Sequence, residues 1–163
     1  MDIEDDLRRI ALQEERLRFD AFDADKAWAL GSAMREAGEA AGGKIVVDIR
    51  LYSMRLLSFA LPGAQPDNFD WARRKRNVVF RFQRSSYAVG LRLKRDQSNL
   101  QQNHGLPERD YAAHGGSFPL LLKGSGCIGA VTVSGLPSRD DHILVVEAIA
   151  GVLGIKLGDA ALA

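Results

Sequence analysis

The sequence predicts an α/β protein of the α+β kind: a three-layer α/β/α sandwich around a mainly antiparallel five-stranded sheet. Two observations carry this. Segments with apolar residues at helical spacing alternate with short segments of period two, in the order helix–strand–helix–strand–strand–helix–strand–strand–helix. Twice in that order the strands follow each other closely enough to form hairpins. No linker, repeat or low-complexity segment divides the chain, so residues 1–163 are expected to form one domain.

Each element has a local reason. Asp2 can cap a first helix running to about Gln13, with Ile3, Leu7 and Ile10 along one side. Leu17 to Phe19 reads as a short strand. Asp23 precedes a second helix, on which Ala27, Leu30, Gly31, Met34 and Ala37 recur at helical spacing until Gly42-Gly43 ends it. Ile45, Val47, Ile49 and Leu51 alternate with Val46, Asp48 and Arg50, the period of a strand with one better-buried face. Leu56–Leu61 supplies its partner, after a turn near Tyr52-Ser53. Pro66 starts a long helix expected to reach about Leu93, with Trp71, Lys75, Val78, Phe82, Ser86 and Val89 on one stripe.

Residues 96–113 are polar and read as a loop containing His104. A second hairpin turns at Gly124-Ser125-Gly126, and Pro119 places its first strand at an edge or a bulge, because proline cannot donate to a ladder. Ser138 and Asp141 read as an acidic capping box for the last helix. That helix is apolar around nearly its whole circumference, with Glu147 its only charge between Ile143 and Leu153. One sheet covers only one helix face, so Val145, Ile149 and Val152 are expected to meet another copy, making an obligate homodimer or higher oligomer. This order of elements fits a profilin-like or PAS-like sandwich.

Composition bounds the function. The lone Cys127 excludes an intramolecular disulfide and a cysteine-cluster zinc site. No apolar run is long enough to span a bilayer, and the acidic start MDIEDDLRRI lacks the features of a secretion signal, so a cytoplasmic location is expected. Net charge is +1, but residues 1–25 hold nine acids and four bases, whereas residues 73–95 hold nine bases and no acid. The basic stretch has no nucleic-acid motif; it reads as a solvated face, or as one paired with acidic residues, and nucleic acid is not an expected partner.

Function should concentrate between His114 and His142, where two of the three histidines and six of the sixteen glycines fall. Three motifs occur in order along the chain. The first is Trp71-x-Arg73-Arg74-Lys75, continuing through Val79, Arg81-Phe82 and Ser85-Ser86-Tyr87. The second is His114-Gly115-Gly116-x-Phe118-Pro119. The third runs from Gly129 through Val131-Thr132-Val133-Ser134-Gly135-Leu136-Pro137 to Asp140-Asp141-His142. Together they resemble the haem-degrading-domain superfamily (HbpS/GlcG-like), in its small single-domain cytosolic branch found in bacteria and yeasts. The resemblance covers nearly the whole chain. It implies a profilin-like sandwich, dimers that assemble further, and haem as a candidate ligand; the residues themselves name no cofactor.

Three functional classes follow. The favoured one is a small-ligand-binding module for haem or another planar anion. Its candidate contacts are His114, Gly115, Gly116, Ser134 and His142, with Arg73, Arg74 and Arg81 pairing with ligand carboxylates. The second is a metal-assisted or acid–base enzyme in which His114 and His142 approach each other and Asp140 or Asp141 completes the site. No HxH or HxxxH spacing supports it, and Ser134 lacks the G-x-S-x-G setting of a hydrolase nucleophile. The third is an oligomeric scaffold that presents a surface to partner proteins.

Overall fold

The computed structural model describes residues 2–162. Six helices, α1 (Ile3–Arg16), α2 (Ala24–Ala40), α3 (Pro66–Phe82), α4 (Ser86–Arg95), α5 (Leu100–His104) and α6 (Ser138–Leu153), surround four strands, β1 (Val46–Leu51), β2 (Arg55–Ala60), β3 (Ser117–Leu122) and β4 (Gly126–Ser134). The strands form one antiparallel sheet in the order β2-β1-β4-β3. The expected fifth strand is reduced to a single parallel bridge from Phe19 to Leu122, closed by N–H···O bonds of 2.9 Å from Phe19 to Leu121 and from Lys123 to Phe19. The sheet therefore has four strands, not five.

Register assigns the two faces. Val47 opposite Val133, Ile49 opposite Val131 and Phe118 opposite Val131 form the side that packs beneath α2 and α6, with Leu30, Met34, Val145 and Ile149. Side chains one residue along point the other way. Asp48 opposite Thr132, and Thr132 opposite Ser117, therefore face α3, and all three are buried. Pro119 lies on the edge strand β3, next to a register shift between Leu120 and Leu121, as its missing N–H requires.

Local signals hold at several helix starts. The Asp2 carboxylate accepts from the Glu4 N–H at 3.0 Å, and that of Asp23 from the Lys26 N–H at 2.9 Å. Three expectations are corrected. The long helix is two, because Gln83 adopts a left-handed φ of 52° and Ser85 caps α4 by accepting from the Ala88 N–H at 3.2 Å. Buried Glu14 of α1 secures the break, accepting from the Ser85 N–H at 2.8 Å and from Arg84 at 2.6 Å. The loop after α4 contains α5, capped by Asn99 and stopped by Gly105 at φ 65°. At α6 the cap residue is Pro137, and the Ser138 hydroxyl instead accepts from the Gly115 N–H at 2.7 Å.

The face expected to meet another copy is largely covered by the chain itself. Val145 and Ile149 are 0% and 1% exposed within one chain, because α2 and the sheet enclose them and partly buried Ile155 and Leu157 pack on the same cluster. A helix apolar all round needs cover on all sides, but here the chain's own elements supply most of it, and of the three expected interface residues Val152 alone keeps partial exposure.

Candidate functional site

Helix α3 runs over the polar face of the sheet and brings Lys75 down to the end of β4. This lysine is 4% exposed, and its ammonium donates to Asp141 Oδ2 at 2.7 Å, Ser134 Oγ at 3.3 Å and the Val133 carbonyl at 3.5 Å. Asp141, at 0% exposure, also accepts from the N–H of Leu136 at 3.0 Å and of Gly135 at 3.4 Å. Burial pulls the Lys75 ammonium below its ordinary value, and burial likewise pushes the Asp141 carboxyl up. Their mutual attraction opposes both displacements. The pair ties α3 to the β4–α6 corner, where Lys75 and Ser134 form the floor of a cleft.

Gly115 and Gly116 form the corner wall. A Cβ on Gly115 would fall 1.9 Å from the Ser138 carbonyl oxygen, and one on Gly116 would fall 2.4 Å from that of Val133. Gly116 also holds a φ of 121°. Both glycines are buried, and the Gly115 N–H is already bonded to Ser138. They permit close backbone approach and do not form an open nest of N–H groups for an anion.

Above this floor, exposed His114 stands edge-on to Trp71, ring centroids 5.4 Å apart, and the Arg74 guanidinium lies 4.0 Å from the Trp71 ring centre. Partial desolvation, then the charges of Lys75 and Arg74, hold the His114 imidazole below its ordinary pKa. The ring is therefore neutral at pH 7, with one nitrogen lone pair available. Trp71 and His114 form a partition between two clefts. One, of about 250 Å³, is lined by Asn68, Lys75, Ser134, Leu136 and Ser138. The other, of about 320 Å³, is lined by Arg74, Leu93, Lys94, Leu100, Tyr111 and Ala113.

The two histidines sit in different surroundings. His142 is 1% exposed, with its ring against Tyr87 and Phe118 at centroid distances of 5.0 and 6.1 Å. Gln13 spends its amide nitrogen on the Ala160 carbonyl at 2.7 Å, so its oxygen faces His142 Nε2 at 2.9 Å and accepts from it. Burial, with Arg139 nearby, pushes the His142 pKa down to about 3. His142 is expected beside His114 at a common ligand; its Nε2 is instead taken by Gln13, its ring sits among aromatics, and it lines neither cleft. Among the described residues, no group of three His, Cys, Asp or Glu side chains is placed to hold a metal ion.

The arginines divide. Arg74 lines the larger cleft and pairs with Asp70 at 2.9 Å. Arg73 turns away from it to Asp70 at 3.0 Å and Asp110 at 3.2 Å. Arg81 is exposed and lines neither cleft.

Residues 22–150 match the model of the family described as haem degrading protein HbpS-like. The chain belongs to the HbpS-like family. It is 61% identical over 155 residues to a UPF0303 protein of Rhizobium meliloti (strain 1021), covering 94% of each chain. It is 55% identical over 162 residues to a UPF0303 protein of Azotobacter vinelandii (strain DJ / ATCC BAA-1303), covering 99% of this chain and 98% of the relative. Among solved structures, the Ybr137w protein superposes with a TM-score of 0.84 at 25% identity, covering 91% of this chain and 87% of that one. PduOC, solved as a haem complex, superposes with a TM-score of 0.68 at 18% identity, covering 80% of this chain and 94% of that one, a likeness of fold. No helix among the described residues of this HbpS-like chain is long and apolar enough to cross a membrane.

In the sequence Lys75 stands on the α3 stripe with no role assigned to it. The available signal was a charged residue among Trp71, Val78 and Phe82 on an otherwise apolar stripe, because a lysine enters a core only with a partner.

Proposed function

We propose that this HbpS-like protein is a small-ligand-binding module whose ligand is planar and anionic and sits against Trp71 and His114, with haem the first candidate. The observation that carries the reading is His114 itself: a solvent-facing imidazole held neutral at the junction of two clefts. Trp71, Leu93, Leu100 and Tyr111 offer apolar and aromatic surface to a flat ring, and Arg74 and Lys94 offer cations to its carboxylates. The family description and the haem-bound PduOC of similar fold support trying haem first.

The donor set fits haem. An imidazole lone pair suits haem iron, and His114 would offer one from a solvent-facing position, whereas the unpartnered Nδ1 of His142 is enclosed in the core. At about 320 Å³ the larger cleft is at the small end of ligand pockets, so it would cover only part of a macrocycle. His114 would hold haem, Arg74 and Lys94 would meet its carboxylates, and when bound it would supply redox-active iron.

Haemin titration tests this. A saturable Soret shift is expected at one haemin per chain, lost in His114→Ala and weakened in Arg74→Ala, with His142→Asn binding as the parent does. A shift unchanged in His114→Ala would overturn the assignment.

Self-assembly is part of the same reading, with its surface relocated. Trp28 is 68% exposed beside a cleft of about 440 Å³ lined by Leu57, Phe59 and Pro62, at the free edge of β2. Aromatic surface of this kind is enriched where proteins meet. Light scattering at micromolar concentration should return a multiple of the chain mass, reduced in Trp28→Ser; a single-chain mass for the parent rules the assembly out.

A further inference from the structure

A second charged site lies on the polar face of the sheet, away from the Trp71–His114 partition. Asp48 of β1, 3% exposed at its side chain, is approached by three guanidiniums. Arg50 Nε reaches Oδ2 at 3.1 Å, Arg55 Nε reaches Oδ1 at 3.1 Å, and Arg76 Nη1 comes down from α3 to Oδ2 at 2.8 Å. Arg50 and Arg55 are direct cross-strand partners, an arrangement of like charges that costs stability unless a counter-charge lies between them.

One carboxylate is too little for that task. A guanidinium carries five N–H donors, and a carboxylate offers about four acceptor sites. Each of these arginines uses one nitrogen on Asp48, and Arg76 Nε is buried with no hydrogen-bond partner among the described residues. The neighbouring acid gives no relief, because Asp70 is committed to Arg73 at 3.0 Å and Arg74 at 2.9 Å. These residues line a cleft of about 630 Å³ that holds four arginines, Arg50, Arg55, Arg73 and Arg76, against two carboxylates, Asp48 and Asp70. The Ser58 hydroxyl and the ring of Phe69, itself 40% exposed, complete the lining. Burial, followed by the adjacent charge of Arg50, holds the Arg76 guanidinium below its ordinary value, as expected of a cation with too little compensation.

We propose that the Arg50–Arg55–Arg76 cluster around Asp48 is a binding site for a small, multiply charged oxyanion of the phosphate class. Such an anion takes the N–H groups that Asp48 leaves unused and cancels the two excess charges of the cleft, by the paired guanidinium geometry that suits phosphate oxygens. Ser58 donates a further hydrogen bond, and Phe69 offers a wall to whatever apolar group the phosphate carries. The site is independent of His114 and of the ligand proposed there.

Calorimetric titration of the whole protein with inorganic pyrophosphate at low ionic strength tests the site. One equivalent should bind per chain, with affinity falling at least tenfold in Arg55→Gln and in Arg50→Gln. Arg55 is 58% exposed at its side chain, so the first variant should keep the parent melting temperature and separate loss of the site from loss of the fold. Arg92→Gln, at an exposed position outside the cleft, and His114→Ala should bind pyrophosphate as the parent does. Absence of binding at millimolar pyrophosphate, or equal affinities for Arg55→Gln, Arg92→Gln and the parent, would overturn the proposal.

Discussion

On the α2/α6 side of the sheet, Val47, Ile49, Phe118, Leu120, Val131 and Val133 pack against Leu30, Met34, Val145 and Ile149 as one continuous apolar layer. On the α3 side the alternate residues make a different interior. Ser117 Oγ and Thr132 Oγ1 share a hydrogen bond at 2.8 Å, Ser86 Oγ accepts from the Ser117 N–H at 3.1 Å, Lys75 meets Asp141, and Asp48 meets three arginines. The apolar layer is held by non-directional burial, which depends on volume and tolerates exchange of one aliphatic group for another. The polar layer is held by directional bonds, each with a particular partner, and leaving one unmade carries a desolvation penalty. Both candidate sites lie on the polar side for that reason: it is where the chain keeps charge and donors close enough to the surface to meet a ligand.

The largest test of this contrast is the buried pair. Asp141→Ala should lower stability by about 3–5 kcal/mol, because it strands the Lys75 ammonium in the interior. Replacing both residues, Lys75→Met with Asp141→Leu, should lose far less than the sum of the single changes. On the other face Ile149→Val should cost only about 0.5–1.5 kcal/mol, the price of a methylene and a small void. Urea unfolding of the single and double variants measures all of these. Single and double losses that add to within about 0.5 kcal/mol would mean that the two faces are held in the same way.

A smaller effect comes from His142, the polar residue set among aromatics at the margin of the apolar layer. Its pKa is near 3 in the folded protein, against an ordinary value of 6.5 once unfolded. As pH falls through 6.5 the unfolded chain takes up a proton that the folded chain refuses, so stability is full above that pH and declines toward pH 3. The loss between pH 7 and pH 4.5 should be about 2–3 kcal/mol, from the linkage of those two values. His142→Asn should flatten that part of the stability profile, read by urea midpoints across the range. An unchanged acid slope in the variant would show that the decline comes from the carboxylates of the polar face instead.

Local chemistry was legible from residues close together in the chain. The Asp2 and Asp23 caps, the period-two strands, the edge position of Pro119 and the turn glycines each depend on neighbours a few positions away, and the family motifs are read from the same local strings. The Trp71–His114 corner was legible only in part. Its residues could be named, but their roles depended on which way each ring turned, and His142 turned into the core toward Gln13, 129 positions away. The break after α3 has no local signal, because its support, Glu14, is 70 residues from Arg84. The partnership of Lys75 with Asp141 spans 66 residues.

By itself, then, the sequence determined the α+β class, most element boundaries, the family, and the alternation that gives the sheet one apolar and one polar face. Only the tertiary structure decided that Phe19 forms a bridge and not a strand, that Val145 and Ile149 are covered by their own chain, and that three arginines share one aspartate. The division follows from range: caps, turns and periodicity are settled by φ, ψ and side chains within a turn or two, whereas burial and charge pairing are settled by strand register and helix docking, which bring together residues that no local pattern links.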